Sequence, residues 1–147
     1  MKELNKEIIG RREIISLPKL GIFNIESKVD TGAYTTALHT NKVHLHRKNN
    51  RLFATFNIDD SKYPIQSAIE ITALVKKIKK VKNTSGIVEE RIIIRTLISI
   101  SGRKYKIDLS LADRTNMEYP ILIGRKAIKG KFLVDVSSIY CGTANTL

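Results

Sequence analysis

An all-β fold, a closed barrel or a sandwich, is predicted for this chain by three observations. Short segments rich in β-branched and aromatic residues recur along most of its 147 residues, clusters of turn formers separate them, and one brief stretch alone suits a helix. The candidate strands run over Arg12 to Leu17, Phe23 to Val29, Asn41 to His46, Arg51 to Asn57, Ile69 to Val81, Ile87 to Ile100, Tyr105 to Leu109 and Leu133 to Val136. Pro18-Lys19-Leu20-Gly21, Asn49-Asn50, Asn83-Thr84-Ser85-Gly86 and Ser101-Gly102 read as the turns between them. Regular spacing of short strands of this kind favours a barrel or sandwich. The one short helix is expected near the C-terminal end at Arg125 to Ile128, following Gly124 and stopping near Gly130. Lys76 to Lys82, the turn at Asn83 to Gly86 and the apolar run from Ile87 form a long hairpin with a basic tip. By itself that run is also what a charge-protected sheet edge looks like.

The composition, 42% hydrophobic and 27% charged, suits one globular domain over residues 1–147. No apolar run approaches the roughly 18 residues of a membrane span, and Met1 to Gly21 alternates charged and apolar residues, so a soluble cytoplasmic protein is expected. A single cysteine, Cys141, forms neither an intrachain disulfide nor a CxxC metal clip. The net charge of +12 suits nucleic acid, an acidic partner or an anionic surface. A background rich in Lys, Ile and Asn accounts for that charge equally well, and the basic run lacks interleaved aromatics, so nucleic-acid binding is not expected.

Lys28-Val29-Asp30-Thr31-Gly32-Ala33 changes the odds on function: an apolar strand end delivers an acid into a tight Thr-Gly turn. Gly32, lacking a Cβ, lets backbone N–H groups approach the Asp30 carboxylate, and the Thr31 hydroxyl is free to bond a neighbouring copy of the loop. Such a tripeptide arises by chance roughly once in fifteen chains of this length, and an ordinary Thr-Gly turn is the plain alternative. A second motif reduces that alternative. Tyr119-Pro120-Ile121-Leu122-Ile123-Gly124-Arg125-Lys126-Ala127-Ile128 is an apolar strand closing on Gly-Arg and a short helix.

With these motifs in this order the chain resembles the retropepsin-like aspartic proteases, and most closely a small bacterial family labelled ATP-dependent zinc proteases. The resemblance covers nearly the whole chain. It rests on Ile9-Gly10-Arg11-Arg12-Glu13, Leu17-Pro18-Lys19-Leu20-Gly21, the Asp30-Thr31-Gly32 stretch with Thr36-Ala37-Leu38-His39, and Glu90-Arg91. It continues through Leu111-Ala112-Asp113-Arg114 with Met117, Ile123-Gly124-Arg125 and Leu133-Val134-Asp135-Val136-Ser137. It implies a retropepsin-like closed barrel in which the apolar strand passes beneath the Asp-Thr-Gly turn. Asp30, Thr31 and Gly32 are then the catalytic turn, Ala33, Ile123, Gly124 and Arg125 its support, and Asn83, Thr84, Ser85 and Gly86 the flap over an extended peptide.

One Asp-Thr-Gly per chain is half of such a site, so a homodimer with Asp30 from each subunit on its two-fold axis is expected. One carboxylate then activates a water while the other, protonated, polarises the scissile carbonyl. Basic residues from Lys76 to Lys82 and Arg91 favour an acidic peptide, and the family's association with ATP-grasp glutamate ligases suggests a glutamate-rich protein tail. Two departures stand out. Retroviral proteases place an acidic residue after the turn to pair with the Gly-Arg arginine, whereas Tyr34, Thr35 and Thr36 follow here, leaving Arg125 without an assigned partner. The bacterial family usually has a basic residue where Tyr34 stands.

The zinc and ATP of the family label find no support in the residues. HExxH, a Walker-type loop and GxGxxG are all missing from the sequence, so neither cofactor is expected. His44 and His46 share a strand face and, with His39, offer three nitrogens; no carboxylate orients them, and ordinary surface or part-buried histidines are expected. The competing functional class is a catalytically inactive module that holds a peptide or partner on the same fold.

Overall fold

In the computed structural model residues 6–58, 70–82, 84–112 and 118–142 are described. Ile69, Asn83, Asp113, Arg114 and Met117, named above, lie outside the described residues. The strands are β1 (Glu7–Gly10), β2 (Arg12–Leu17), β3 (Ile22–Val29), β4 (Thr36–His39), β5 (His44–Lys48) and β6 (Arg51–Phe56). They continue with β7 (Ile71–Lys82), β8 (Val88–Ile100), β9 (Arg103–Ala112), β10 (Ile121–Ile123) and β11 (Phe132–Asp135), with the helix α1 (Arg125–Ile128) before the last.

Six strands close a barrel in the order β2-β3-β10-β4-β9-β8, and the pairing of Ser16 on β2 with Ser99 on β8 completes the ring. β7, β6 and β5 extend the sheet outward from β8 as a wing. Ile15, Leu17, Ile22, Ile25, Leu38, Ile94, Ile98, Leu109 and Ile121 fill the interior, each at most 1% exposed. At roughly 25 cal/mol per Å² of apolar area removed from water, this aliphatic interior carries the fold without a cross-link.

The turns obey their local chemistry. Pro18–Leu20 forms a 3-10 turn that ends on Gly21 at φ 71, a left-handed conformation that glycine adopts without a Cβ penalty. Asn49 and Asn50, at φ 53 and 63, join β5 to β6 as a two-residue hairpin whose positive φ angles match the strand twist. Ser101 and Gly102 do the same between β8 and β9, and their tight turn lets the ladder begin at once. β9 therefore runs well beyond the Tyr105 to Leu109 expected from composition. The strand expected at Asn41 to His46 starts later, at His44, because the backbone N–H of Asn41 is committed to the carbonyl of Asn57. β1 and β4, four residues each, were not anticipated as strands.

β2 turns Glu13 inward together with Ile15 and Leu17. Fully buried, its Oε2 accepts the backbone N–H groups of Gly10 at 2.7 Å and Gly142 at 3.1 Å. That carboxylate ties the two ends of the described chain together beside the small parallel β1–β11 sheet. Two backbone donors offset part of the cost of burying this polar group.

Candidate active site

β3 ends at Val29 and delivers Asp30 to a turn whose backbone β10 holds from beneath: Ile121, Leu122 and Ile123 pair in parallel with Ser27, Lys28 and Val29. The ladder continues one residue further, with the N–H of Asp30 on the carbonyl of Ile123 at 2.9 Å. On its other side β10 pairs antiparallel with β4, so the apolar strand lies between the two strands that flank the turn. Within the turn, the Gly32 N–H donates to Asp30 Oδ1 at 3.1 Å, and the Ala33 N–H to the Asp30 carbonyl at 3.1 Å. A Cβ on Gly32 would stand 3.3 Å from that carboxylate oxygen, so a larger residue would crowd the approach. The carboxylate is oriented and half-buried, while Thr31 and Gly32 are exposed.

Gly124 and Arg125 lock the turn from the side. A Cβ at Gly124 would meet the carbonyl oxygen of Tyr34 at 2.5 Å, a contact only glycine permits. Its N–H donates to Thr36 Oγ1 at 3.1 Å, and the next two N–H groups, of Arg125 and Lys126, donate to the carbonyls of Ala33 and Tyr34. The missing partner of Arg125 is now visible. Its guanidinium donates to the carbonyls of Thr31 at 3.1 Å and Gly32 at 3.2 Å, and lies 5.4 Å from the centre of the exposed Tyr34 ring. Backbone carbonyls and an aromatic face thus stand where retroviral proteases place a carboxylate, the ring adding about 0.5–1 kcal/mol for an exposed pair.

Asp30 borders an open cavity of about 440 Å³. Ala33, Thr35 and Ala37 line it from the turn and β4, Ser110 and Leu111 from β9, and Lys79, Glu89, Glu90, Arg91 and Ile93 from the β7–β8 hairpin. Thr84, Ser85 and Gly86 form the turn of that hairpin, with Gly86 at φ 85. Among the described residues, the hairpin contributes its arms to the cavity and not this tip. Lys79 and Arg91 are register partners, but Glu89 and Glu90 line the same space, so its charge is mixed.

Lys76, counted above with the basic run, is turned elsewhere by the irregularity between Val75 and Lys77. Its Nζ meets Asp108 at 2.9 Å, alongside Arg95 at 3.1 Å and Lys126 at 2.7 Å. Burial opposes the charged form of Asp108, yet hydrogen bonds from Lys126, Lys76 and Arg95 outweigh it and hold the carboxyl well below the usual carboxylate range. Asp108→Asn is therefore expected to cost about 2 kcal/mol at neutral pH, discounted because the three cations are half-exposed. Since the folded value lies below the ordinary 3.8, this contribution is complete above that pH and is lost as pH falls through the folded value. Thermal unfolding of both proteins from pH 7 down to acid checks this: the gap between them is expected to close with acid, and a constant gap refutes it.

The histidines lie apart in character. His39 is buried on β4, whereas His44 and His46 are exposed on β5, with His46 Nε2 3.0 Å from Thr55 Oγ1 and its ring stacked on Phe53. Among the described residues no group of three or more His, Cys, Asp or Glu side chains is placed to hold a metal ion. Among the same residues no helix is long and apolar enough to cross a membrane.

A six-stranded barrel that presents an Asp-Thr-Gly turn over a parallel apolar strand and a Gly-Arg helix defines the retropepsin-like class of fold. Residues 8–144 match the RimB-like family, described as retropepsin-like aspartic endopeptidase RimB, and the chain belongs to that family. Curated relatives include proteins named "Probable alpha-L-glutamate ligase": one from Shewanella halifaxensis, 31% identical over 93% of this chain, and one from Parasynechococcus marenigrum, 34% identical over 88%. The chain spans 30% and 28% of the length of these two relatives. A crystal structure of a Legionella pneumophila protein of unknown function superposes with a TM-score of 0.72 at 20% identity, covering 92% of this chain and 98% of that one, and shows the same fold.

Proposed function

We propose that this chain is an aspartic endopeptidase that hydrolyses peptide bonds as a homodimer, with Asp30 of each subunit forming the catalytic pair. The observation that carries this reading is the Asp30 carboxylate itself, held by the Gly32 N–H and facing an open cavity, once per chain. A two-fold axis through the turn sets the second carboxylate opposite the first. The ionised member takes a proton from water, whose oxygen attacks the scissile carbonyl; the protonated member donates to the carbonyl oxygen, and the tetrahedral intermediate expels the amine after proton transfer. The hairpin serves as the flap, and its arms add backbone hydrogen bonds to an extended substrate.

The substrate class we favour is an acidic, glutamate-rich protein tail. Lys79 and Arg91 border the cavity as register partners, and the relatives' names concern glutamate addition. On this reading the chain acts alongside an ATP-grasp glutamate ligase, one enzyme adding residues and the other removing them; relatives named as glutamate ligases are what suggests the pairing. Glu89 and Glu90 limit how uniformly the cavity attracts acid, so equal cleavage of matched acidic and neutral peptides would remove this preference.

The deciding experiment is cleavage of a broad peptide library from acid to neutral pH by the native protein and Asp30→Asn, each with and without a chelator. Cleavage lost in Asp30→Asn and indifferent to chelation is expected. Cleavage that survives Asp30→Asn overturns the assignment, loss on chelation alone points to a metal, and no cleavage by native protein under any condition leaves a binding module on the same fold.

A further inference from the structure

A second cavity, of about 190 Å³, lies away from Asp30, and its lining among the described residues is strongly cationic: Arg95, Lys106, Lys126 and Lys131 against Asp108. Among the described residues the lining therefore carries four positive charges and one negative, a net of +3, and the ammonium of Lys76 also reaches Asp108 from beside it. We propose that this cavity binds a small tetrahedral oxyanion of the phosphate class, either free or as the terminal group of a phosphomonoester.

Three features favour a ligand over a plain ion-pair cluster. Asp108 is over-served: one buried carboxylate is matched by three cations, where a single lysine would neutralise it. It works instead as an anchor that gathers cationic groups whose mutual repulsion otherwise spreads them. Next, the gathered groups keep donors in reserve. The side chains of Lys76, Arg95 and Lys126 are 42%, 47% and 43% exposed, and each has N–H bonds beyond those given to Asp108. Finally, size and charge agree with the ligand. The volume admits a phosphate but not a peptide strand, and an anion of nearly two charges offsets most of the excess, which a carboxylate does not.

The position couples this site to the candidate catalytic turn. Lys126 reaches Asp108 with its side chain while its backbone N–H holds the carbonyl of Tyr34, and Thr36 lines the cavity while its hydroxyl receives the N–H of Gly124. An anion bridging Lys126 and Lys106 would stiffen the same backbone that positions Asp30.

Isothermal titration of the full chain with inorganic phosphate tests the proposal, with sodium chloride holding ionic strength constant. One phosphate per chain, saturably bound, is expected, with affinity falling about tenfold or more in Lys106→Glu and in Lys131→Ala, since each removes one charge-assisted contact. Lys106 is exposed and Lys131 half-buried, and neither pairs with Asp108, so both variants are expected to fold as the native chain does, which thermal unfolding checks. A parallel titration with phenyl phosphate separates the sources: tighter binding than inorganic phosphate marks a phosphomonoester, weaker binding the free ion. Absence of saturable heat above chloride, or equal affinity in native protein and both variants, overturns the site whether or not the chain is a peptidase.

Discussion

Native chains mixed with an equal amount of Asp30→Asn chains and allowed to exchange subunits are expected to retain about a quarter of the peptidase activity of native protein at the same total concentration. The reasoning is statistical. Random pairing gives native, mixed and mutant dimers in a one-two-one ratio, and only the first carries two carboxylates. A site complete within one chain would instead leave about half, so the two outcomes are readily separated. Alone, Asp30→Asn is expected to lose activity by on the order of a thousandfold, because an amide can neither take a proton from water nor supply one to the carbonyl oxygen. Its shape is nearly that of the acid, and the side-chain oxygen facing Gly32 N–H can remain, so unfolding temperature should scarcely move. Unchanged stability with lost activity separates a chemical role from a structural one. An activity of one half in the mixture would refute the shared pair while leaving the family and fold untouched.

The parts of this molecule that were legible in advance are those whose causes are local. Asn49-Asn50, Pro18 to Gly21 and Ser101-Gly102 read as turns because their residues tolerate the backbone angles found there. The helix at Arg125 to Ile128 was visible in the residues between Gly124 and Gly130, whereas the passage of Ile121 to Ile123 beneath the turn was implied by the family resemblance. What escaped was decided by partners distant in sequence. β1 exists because Phe132 to Asp135 lies beside it, and β4 because β10 and β9 flank it, and four residues give too little periodicity to announce either. The same limit hid the partners of Arg125. Tyr34, Thr35 and Thr36 offer it no carboxylate, and its acceptors are main-chain carbonyls, common to every residue, with the ring of Tyr34 beside them. Lys76 looked like one more member of a basic flap until the register shift at Val75 to Lys77 set it on Asp108. The inward place of Glu13 is likewise stabilised by N–H groups from Gly10 and Gly142, contacts that strand composition does not record.

Gly124→Ala should damage both stability and activity, and the cause is contact rather than conformation. Gly124 sits at φ −82 and ψ 163, extended backbone open to any residue, so alanine brings no intrinsic strain. Its methyl group, however, would stand 2.5 Å from the oxygen of Tyr34 and 2.7 Å from the carbonyl carbon of Thr35, and neither is a side chain that can swing away. The backbone of the turn has to retreat, at a cost of about 3 kcal/mol, the upper part of the range for overpacking. In a chain of this size that lowers the unfolding midpoint by roughly 10 °C. Retreat also stretches the bond from Gly124 N–H to Thr36 and loosens the grip of Arg125 on Thr31 and Gly32, so Asp30 loses its fixed position. A displacement of about 1 Å at such a group costs on the order of a hundredfold in rate. Gly130→Ala provides the contrast. Nothing lies within 4 Å of its added Cβ, but φ is +81, so it should lose about 1–2 kcal/mol through backbone strain alone. Assayed at a temperature where both variants are folded, Gly130→Ala should cleave peptides at the native rate and Gly124→Ala should not. Equal activity in the two would mean that the strand-helix junction supports the fold without positioning the acid.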